Sequence, residues 1–302
     1  MKKAEKYRKM SKIIQYGGMA LIILVGFILI YIFNFKDGKG DLSKSMTYIM
    51  GTIIALFIFM ICVNVPMTNH LTKLIIEASV EGLVTDLKFS KKKGFTKETF
   101  ESFNVATDKA EDYLCTDYYS FTYNNQTIES ATINYSATKK LPKKNNPKKL
   151  AKINVKYFFG RVYVIPYTNE SGIEVKILGK AQQSLSKEKL MSTTNTPNIL
   201  PIKIKKYSDN FEVYYGENKP TMDIQGLLER LYYLKTQAKG TISAIVRKKT
   251  IILFIDNNHY YAELEPKQKV DEDLIRGYRK DISMALTFID SLTTLNKEKK
   301  KG

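Results

Sequence analysis

Apolar positions fall into two long uncharged runs near the N-terminus and then into shorter periodic segments. Lys12 and Lys36 bracket 23 uncharged positions, and a second run of similar length begins at Met46. At about 1.5 Å per residue each is long enough to cross a hydrocarbon layer of roughly 30 Å. Two membrane-spanning helices are therefore expected, at about 13–35 and 46–66. Beyond them Leu71, Leu74, Ile75, Ala78, Leu83, Val84 and Leu87 recur at helical spacing. This predicts a stalk helix that ends at Ser90-Lys-Lys-Lys-Gly94. Thr96 is placed to cap a further helix with Phe100, Phe103, Ala106, Ala110 and Tyr113 on one face, closing near Leu114.

From Asp117 onward the period is two. Tyr119, Phe121 and Tyr123 alternate, Asn124-Asn125 makes a turn, and residues 128–135 return as a second strand. After a lysine-rich loop, Ile153, Val155, Tyr157 and Phe159 alternate again; Gly160 marks an expected bulge, and Val162 and Val164 continue the strand. Ile173, Val175 and Ile177 predict one more strand before an irregular stretch. A second lobe then opens with Phe211, Val213 and Tyr215 on a strand. Thr221 is the expected cap of a helix with Ile224, Leu227, Leu228 and Leu231 inward. A meander at 241–247, 250–256 and 259–265 follows, and the final helix carries Leu274, Tyr278, Ile282, Ala285, Leu286, Ile289 and Leu292.

The expected class is thus α+β: a two-helix transmembrane hairpin followed by a domain of mixed helix and antiparallel sheet. Its expected divisions are a basic N-terminus and hairpin (1–67), stalk and capping helices (68–114), a strand lobe (115–180), a linker (181–200) and a second lobe with a basic tail (201–302).

Charge orients the hairpin. The first flank holds Lys2, Lys3, Lys6, Arg8, Lys9 and Lys12, against Lys36, Lys39 and Lys44 in the connecting loop. Lysine and arginine near span ends stay on the cytoplasmic side, so both the N-terminus and everything after Pro66 are expected in the cytoplasm, in a two-pass protein of the cell membrane. A cleaved signal peptide is the alternative. The first run is too long for its apolar region and lacks a small-residue cleavage site.

The net charge of +18 raises the question of a nucleic-acid partner. Only six of the 48 basic residues are arginine, and groove and phosphate readers rely on the arginine fork. With no recognisable module beside the charge, a lipid surface fits better than nucleic acid. Lys139, Lys140, Lys143, Lys144, Lys148, Lys149, Lys152 and Lys156 occur without one intervening acid. They are the candidate contacts to anionic lipid, each worth about 1 kcal/mol at such a surface. A solvated loop would carry the same run. Gly51 and Ala55 have the spacing of a small-residue helix contact.

Catalytic chemistry has thinner support. His70 and His259 stand about 190 positions apart, and Gly38-Lys-Gly40 lacks phosphate-loop spacing, so neither a metal nor a nucleotide cofactor is expected. Cys62 and Cys115 fall in different compartments and are not expected to pair. Glu111, Asp112 and Asp117 are the candidate acid-base cluster, on the idea that two carboxylates converge where a helix meets a strand. The plainer reading is a solvated turn, with acids that hydrogen-bond backbone or pair with lysine.

The two spans, Glu111-Asp112-Tyr113 before a strand pair, Phe158-Phe-Gly-Arg-Val162, and Phe211-Glu-Val-Tyr-Tyr-Gly216 before a leucine-rich helix resemble bacterial domain-of-unknown-function family 3137. Cys115-Thr116 stands where the family pattern leads one to expect a glycine. The resemblance implies a membrane-anchored bacterial protein of no established activity, sometimes encoded near LemA-type membrane proteins, which makes one of these a partner candidate. The expected function is a non-enzymatic binding or scaffold domain at the cytoplasmic membrane face. A membrane-tethered enzyme using the carboxylate cluster is the alternative.

Overall fold

The computed structural model describes residues 2–32, 42–91, 93–103, 110–143, 146–180, 195–238, 240–257 and 269–299. In chain order the elements are α1 (Lys2–Tyr31), α2 (Leu42–Val80), β1 (Thr85–Ser90), α3 (Lys97–Glu101), β2 (Asp112–Tyr123), β3 (Gln126–Lys143), β4 (Asn146–Pro166) and β5 (Val175–Gly179). They continue with β6 (Asn198–Leu200), α4 (Lys205–Ser208), β7 (Phe211–Tyr215), α5 (Ile224–Gln237), β8 (Thr241–Val246), β9 (Thr250–Asp256) and α6 (Glu272–Lys299). The architecture is mixed helix and antiparallel sheet, with two long apolar helices ahead of a sheet domain, as the periodicities predict. Residues 1–79 and 262–278 form one compact unit, and residues 80–261 and 279–302 a second.

In the first unit α1 and α2 pack as an antiparallel hairpin. Tyr7 meets His70 edge-on with ring centroids 4.7 Å apart. Further along, Ser11 Oγ donates to Asn64 Oδ1 at 2.6 Å. A Cβ added at Gly18 would lie 2.6 Å from Met60 Sδ, and one at Gly26 would lie 3.8 Å from Ile53. The two helices therefore approach through Gly18 and Gly26. Gly51 has nothing within 4 Å of its missing Cβ, so the Gly51 and Ala55 pair faces outward instead of closing the hairpin.

Both helices are long and apolar enough to cross a membrane, and only 6% of each most apolar window is buried. Phe27 and Phe59 are 69% and 68% exposed. An exposed surface this apolar is the opposite of what a water-soluble fold presents. At the foot of the hairpin Ala4, Leu71, Ile75 and Val270 form a small buried cluster joined by Tyr7, Leu74, Leu274 and Tyr278.

The second unit is built on one nine-stranded antiparallel sheet, in the order β1-β2-β3-β4-β9-β8-β5-β7-β6. One face is covered by apolar stripes on α5 (Ile224, Leu227, Leu228, Leu231, Leu234) and α6 (Ile282, Ala285, Leu286, Ile289, Leu292). The other carries an aromatic cluster around Phe100, whose ring lies 5.2–6.4 Å from those of Phe103, Tyr113, Tyr135, Phe158 and Phe254. Asn124 and Asn125 have φ of 49° and 59°. That is the mirror-image turn that suits the twist of a two-residue hairpin.

Several local expectations change. Helix α2 stops at Val80, Gly82 takes φ +72°, and Leu87 lies in β1, where Lys88 pairs with Ser120 and Phe89 with Tyr119. The Leu83, Val84, Leu87 spacing suits a helix, but the left-handed glycine ends the helix first. Thr96 does cap α3, accepting from Thr99 N at 3.1 Å, yet that helix covers only residues 97–101; Tyr113 belongs to β2, and Ala106 lies outside the described residues. Asp223, not Thr221, caps α5, accepting from Gly226 N at 2.9 Å.

The bulge expected at Gly160 falls at Tyr157, between the pairs Tyr135–Phe158 and Ser136–Lys156. Gly160 has a different purpose: a Cβ there would overlap the carbonyl oxygen of Ile255 on the neighbouring strand. The strands of the two expected lobes join in one sheet, because β5 sits between β8 and β7. In the expected linker, residues 198–200 form β6, and 181–194 lie outside the described residues. The predicted third meander strand at 259–265 lies wholly outside them too.

Candidate functional site

Burial of polar side chains concentrates where β2, β3 and β4 lie side by side. Arg161 is fully buried on β4. Its Nε donates to Ser130 Oγ at 2.7 Å and its Nη1 to Thr132 Oγ1 at 3.0 Å, both on β3. The guanidinium carbon stands 3.8 Å from the ring centroid of Tyr119 on β2, a stacked cation contact. Ser130 passes the chain on, donating to the carbonyl of Val162 at 2.9 Å. One side chain thus links three strands through directional contacts. Asp117 lies in the same strands, 3% exposed and at φ +50°. It occupies the irregularity in β2 between the pairs Thr116–Thr132 and Tyr119–Ser130.

The three predicted carboxylates are not brought together. Glu111 is exposed, with Oε2 accepting from Thr138 N at 3.4 Å. Asp112 is exposed at the start of β2. Asp117 is five residues further along that strand, roughly 17 Å away at about 3.4 Å per residue. Asp117 is instead near Cys115, whose thiol is pushed up by burial, against the lowering influence of Tyr113 and Arg161 and with some help from Asp117. Burial likewise pushes the Tyr113 phenol up. A half-buried thiol held protonated is a poor nucleophile.

A second polar group lies at β5. Lys176 is 1% exposed, its Nζ is 3.7 Å from Glu174 Oε1, and burial lowers its pKa. Arg247 Nε donates to Glu174 Oε2 at 2.9 Å and its Nη2 to the Ser102 carbonyl at 2.9 Å. These contacts join the strand to the segment that follows α3. Among the described residues no group of three or more His, Cys, Asp or Glu is placed to hold a metal ion. His259 and Gly38 to Gly40 lie outside the described residues.

The lysine run has a different setting from the predicted loop. Residues 139–143 are in β3 and 146–156 in β4, so the run decorates the two strands of a long hairpin. Lys140 and Lys152 are exposed and directly opposite one another. Lys139 places its Nζ 5.6 Å from the Tyr157 ring centroid, and Lys156 its Nζ 4.9 Å from that of Phe159. Lys143, Lys148 and Lys149 lie in these strands, and Lys144 is outside the described residues.

Arg161 escaped the sequence reading although its pentapeptide was singled out. A lone arginine amid alternating apolar residues signals a partner in the interior. The Ser130 and Thr132 hydroxyls that receive it come from a strand about 30 positions earlier and carried no mark of their own. No family model, curated protein or solved structure matches the chain.

Proposed function

We propose that this is a two-span membrane protein whose sheet unit works on the cytoplasmic side as a binding or scaffold module, without catalysis. The observation that supports it most is the exposed apolar surface of the α1–α2 hairpin, 6% buried over windows of mean hydropathy 2.4. Six basic residues ahead of the first span against three in the loop favour a cytoplasmic N-terminus, and an even number of spans returns the sheet unit to the same side. The buried ionisable groups of that unit engage neighbouring strands, as Arg161 does with Ser130 and Thr132, which suits a rigid platform. The likeness to domain-of-unknown-function family 3137 is in keeping with this reading, and through it a LemA-type membrane protein is the partner to test.

Extraction of membranes at alkaline pH tests the anchor. The full chain is expected to stay in the pellet with integral proteins. Release into the supernatant would contradict the reading.

A further inference from the structure

We propose that the outer part of the β3–β4 hairpin is a docking arm for the anionic phospholipid surface of the membrane that anchors the chain. Among the described residues, β2 pairs with β3 only as far as Ser136, and β9 with β4 only as far as Gly160. Beyond Ser136 the two strands stay in register with each other from Ala137–Val155 to Pro142–Leu150, and the register then shifts before the last pair, Lys143–Asn146. Seven residues of β3 at about 3.4 Å each make an arm of roughly 24 Å.

The arm is two-sided. Ala137 and Val155 are buried on one side, and the other exposes Thr138, Lys140, Leu150, Lys152 and Asn154. Lys140 faces Lys152 directly across the strands. Like charges in that relation weaken a strand pair. Residues 130–169 contain no Asp or Glu, and Glu111 reaches the arm from outside this segment, its Oε2 accepting from Thr138 N at 3.4 Å, one carboxylate against two lysines. Lys143, Lys148 and Lys149 lie in the same two strands. A fold that keeps such a pair is matched to an anion from outside.

Three features favour lipid over nucleic acid. The cations of the arm are all lysines, point charges without the fork that reads phosphate and base edges. Its exposed side has no aromatic ring for bases to stack on. Leu150 is 57% exposed among the cations, a combination suited to the boundary between headgroups and acyl chains. The proposal rests on the anchor reading, since the anchor keeps the surface within reach and makes docking an intramolecular step.

The test uses the full chain in nanodiscs of neutral phosphatidylcholine or anionic phosphatidylglycerol, each containing a spin-labelled lipid that quenches fluorescence on contact. A fluorophore on Leu150→Cys, in a Cys62→Ser/Cys115→Ser background, reports the arm. A fluorophore on native Cys62, in a Cys115→Ser background, reports the span. Quenching of the Cys62 probe in both lipids, and of the position-150 probe in phosphatidylglycerol alone and reversed by salt, is the expected result. Each lysine at an anionic surface is worth about five-fold in partitioning. Lys140→Glu with Lys152→Glu should therefore lower the docked-to-undocked ratio at least on the order of 25-fold and leave the Cys62 signal unchanged. A quenched Cys62 probe with a position-150 probe indifferent to lipid charge would overturn the arm and spare the anchor. An unquenched Cys62 probe would overturn the anchor, and the arm with it. Tighter response of the position-150 probe to a DNA oligonucleotide than to phosphatidylglycerol would assign the arm to nucleic acid instead.

Discussion

Arg161 shows how one side chain ties non-neighbouring sequence into the sheet. It spends its guanidinium on two hydroxyls of β3 and one ring of β2, all within the interior. Removing the arginine alone leaves the buried hydroxyls of Ser130 and Thr132 without their donor and costs about 1–3 kcal/mol. Arg161→Met should lower stability by that order, read as the denaturant midpoint of the full chain in detergent. The triple replacement Arg161→Met, Ser130→Ala, Thr132→Val should cost less than the sum of its parts, because no hydroxyl is then left without its donor. Strict additivity would mean that these contacts are incidental. The sequence makes the arginine visible but not its receivers, since hydroxyl side chains on a strand read equally well as solvent-facing. Gly160 has the same character: its need to be glycine comes from the close approach of β9, about 95 positions away, and local spacing suggests only a bulge.

At the scale of elements, the β2–β3 turn is fastened to α6. Tyr123 Oη donates to Asp290 Oδ2 at 2.7 Å, and Asn124 Nδ2 to Oδ1 at 2.8 Å. Burial first, and the Asp290 carboxylate second, push the Tyr123 phenol up to about 12, against about 10 in an unfolded chain. The folded state holds this proton more tightly. The contribution is therefore fully present below about pH 10 and is lost as pH rises from there through about 12. Tyr123→Phe should reduce the decline in melting temperature across that window, with residual decline from Tyr118 and Tyr135, which are also pushed up to about 12. An unchanged slope would mean that the clamp does not form in solution. Elements with a clear period are legible: the alternation of Tyr119, Phe121 and Tyr123, the Asn124-Asn125 turn, and the stripes of α5 and α6. Their ends are less so. The spacing of Leu83, Val84 and Leu87 is shared by helix and strand, and the choice falls to Gly82 and to pairing with β2. Insertion of β5 between β8 and β7 depends on partners about 40 and 70 positions away, which no local period encodes.

At the scale of the whole chain, the two uncharged runs decide the reading. They are legible because a bilayer imposes a length and an exclusion of charge that few other environments impose. The hairpin's internal contacts are less visible: of the described glycines in the two helices, Gly18 and Gly26 lie against the partner helix, whereas Gly17 and Gly51 do not. The candidate site divides in the same way. The acid-free lysine run is plain in composition, whereas its conversion from a loop into opposed pairs such as Lys140 and Lys152 follows from the register of β3 with β4.

The central claim is that both ends of the chain lie in the cytoplasm with the short loop outside. Labelling of single-cysteine variants with a membrane-impermeant maleimide tests it directly, comparing Lys39→Cys in the loop with Lys297→Cys near the C-terminus on intact and lysed cells. The loop cysteine is expected to react on intact cells, and the C-terminal one only after lysis. Reaction of the C-terminal cysteine on intact cells, with the loop protected until lysis, would contradict the account.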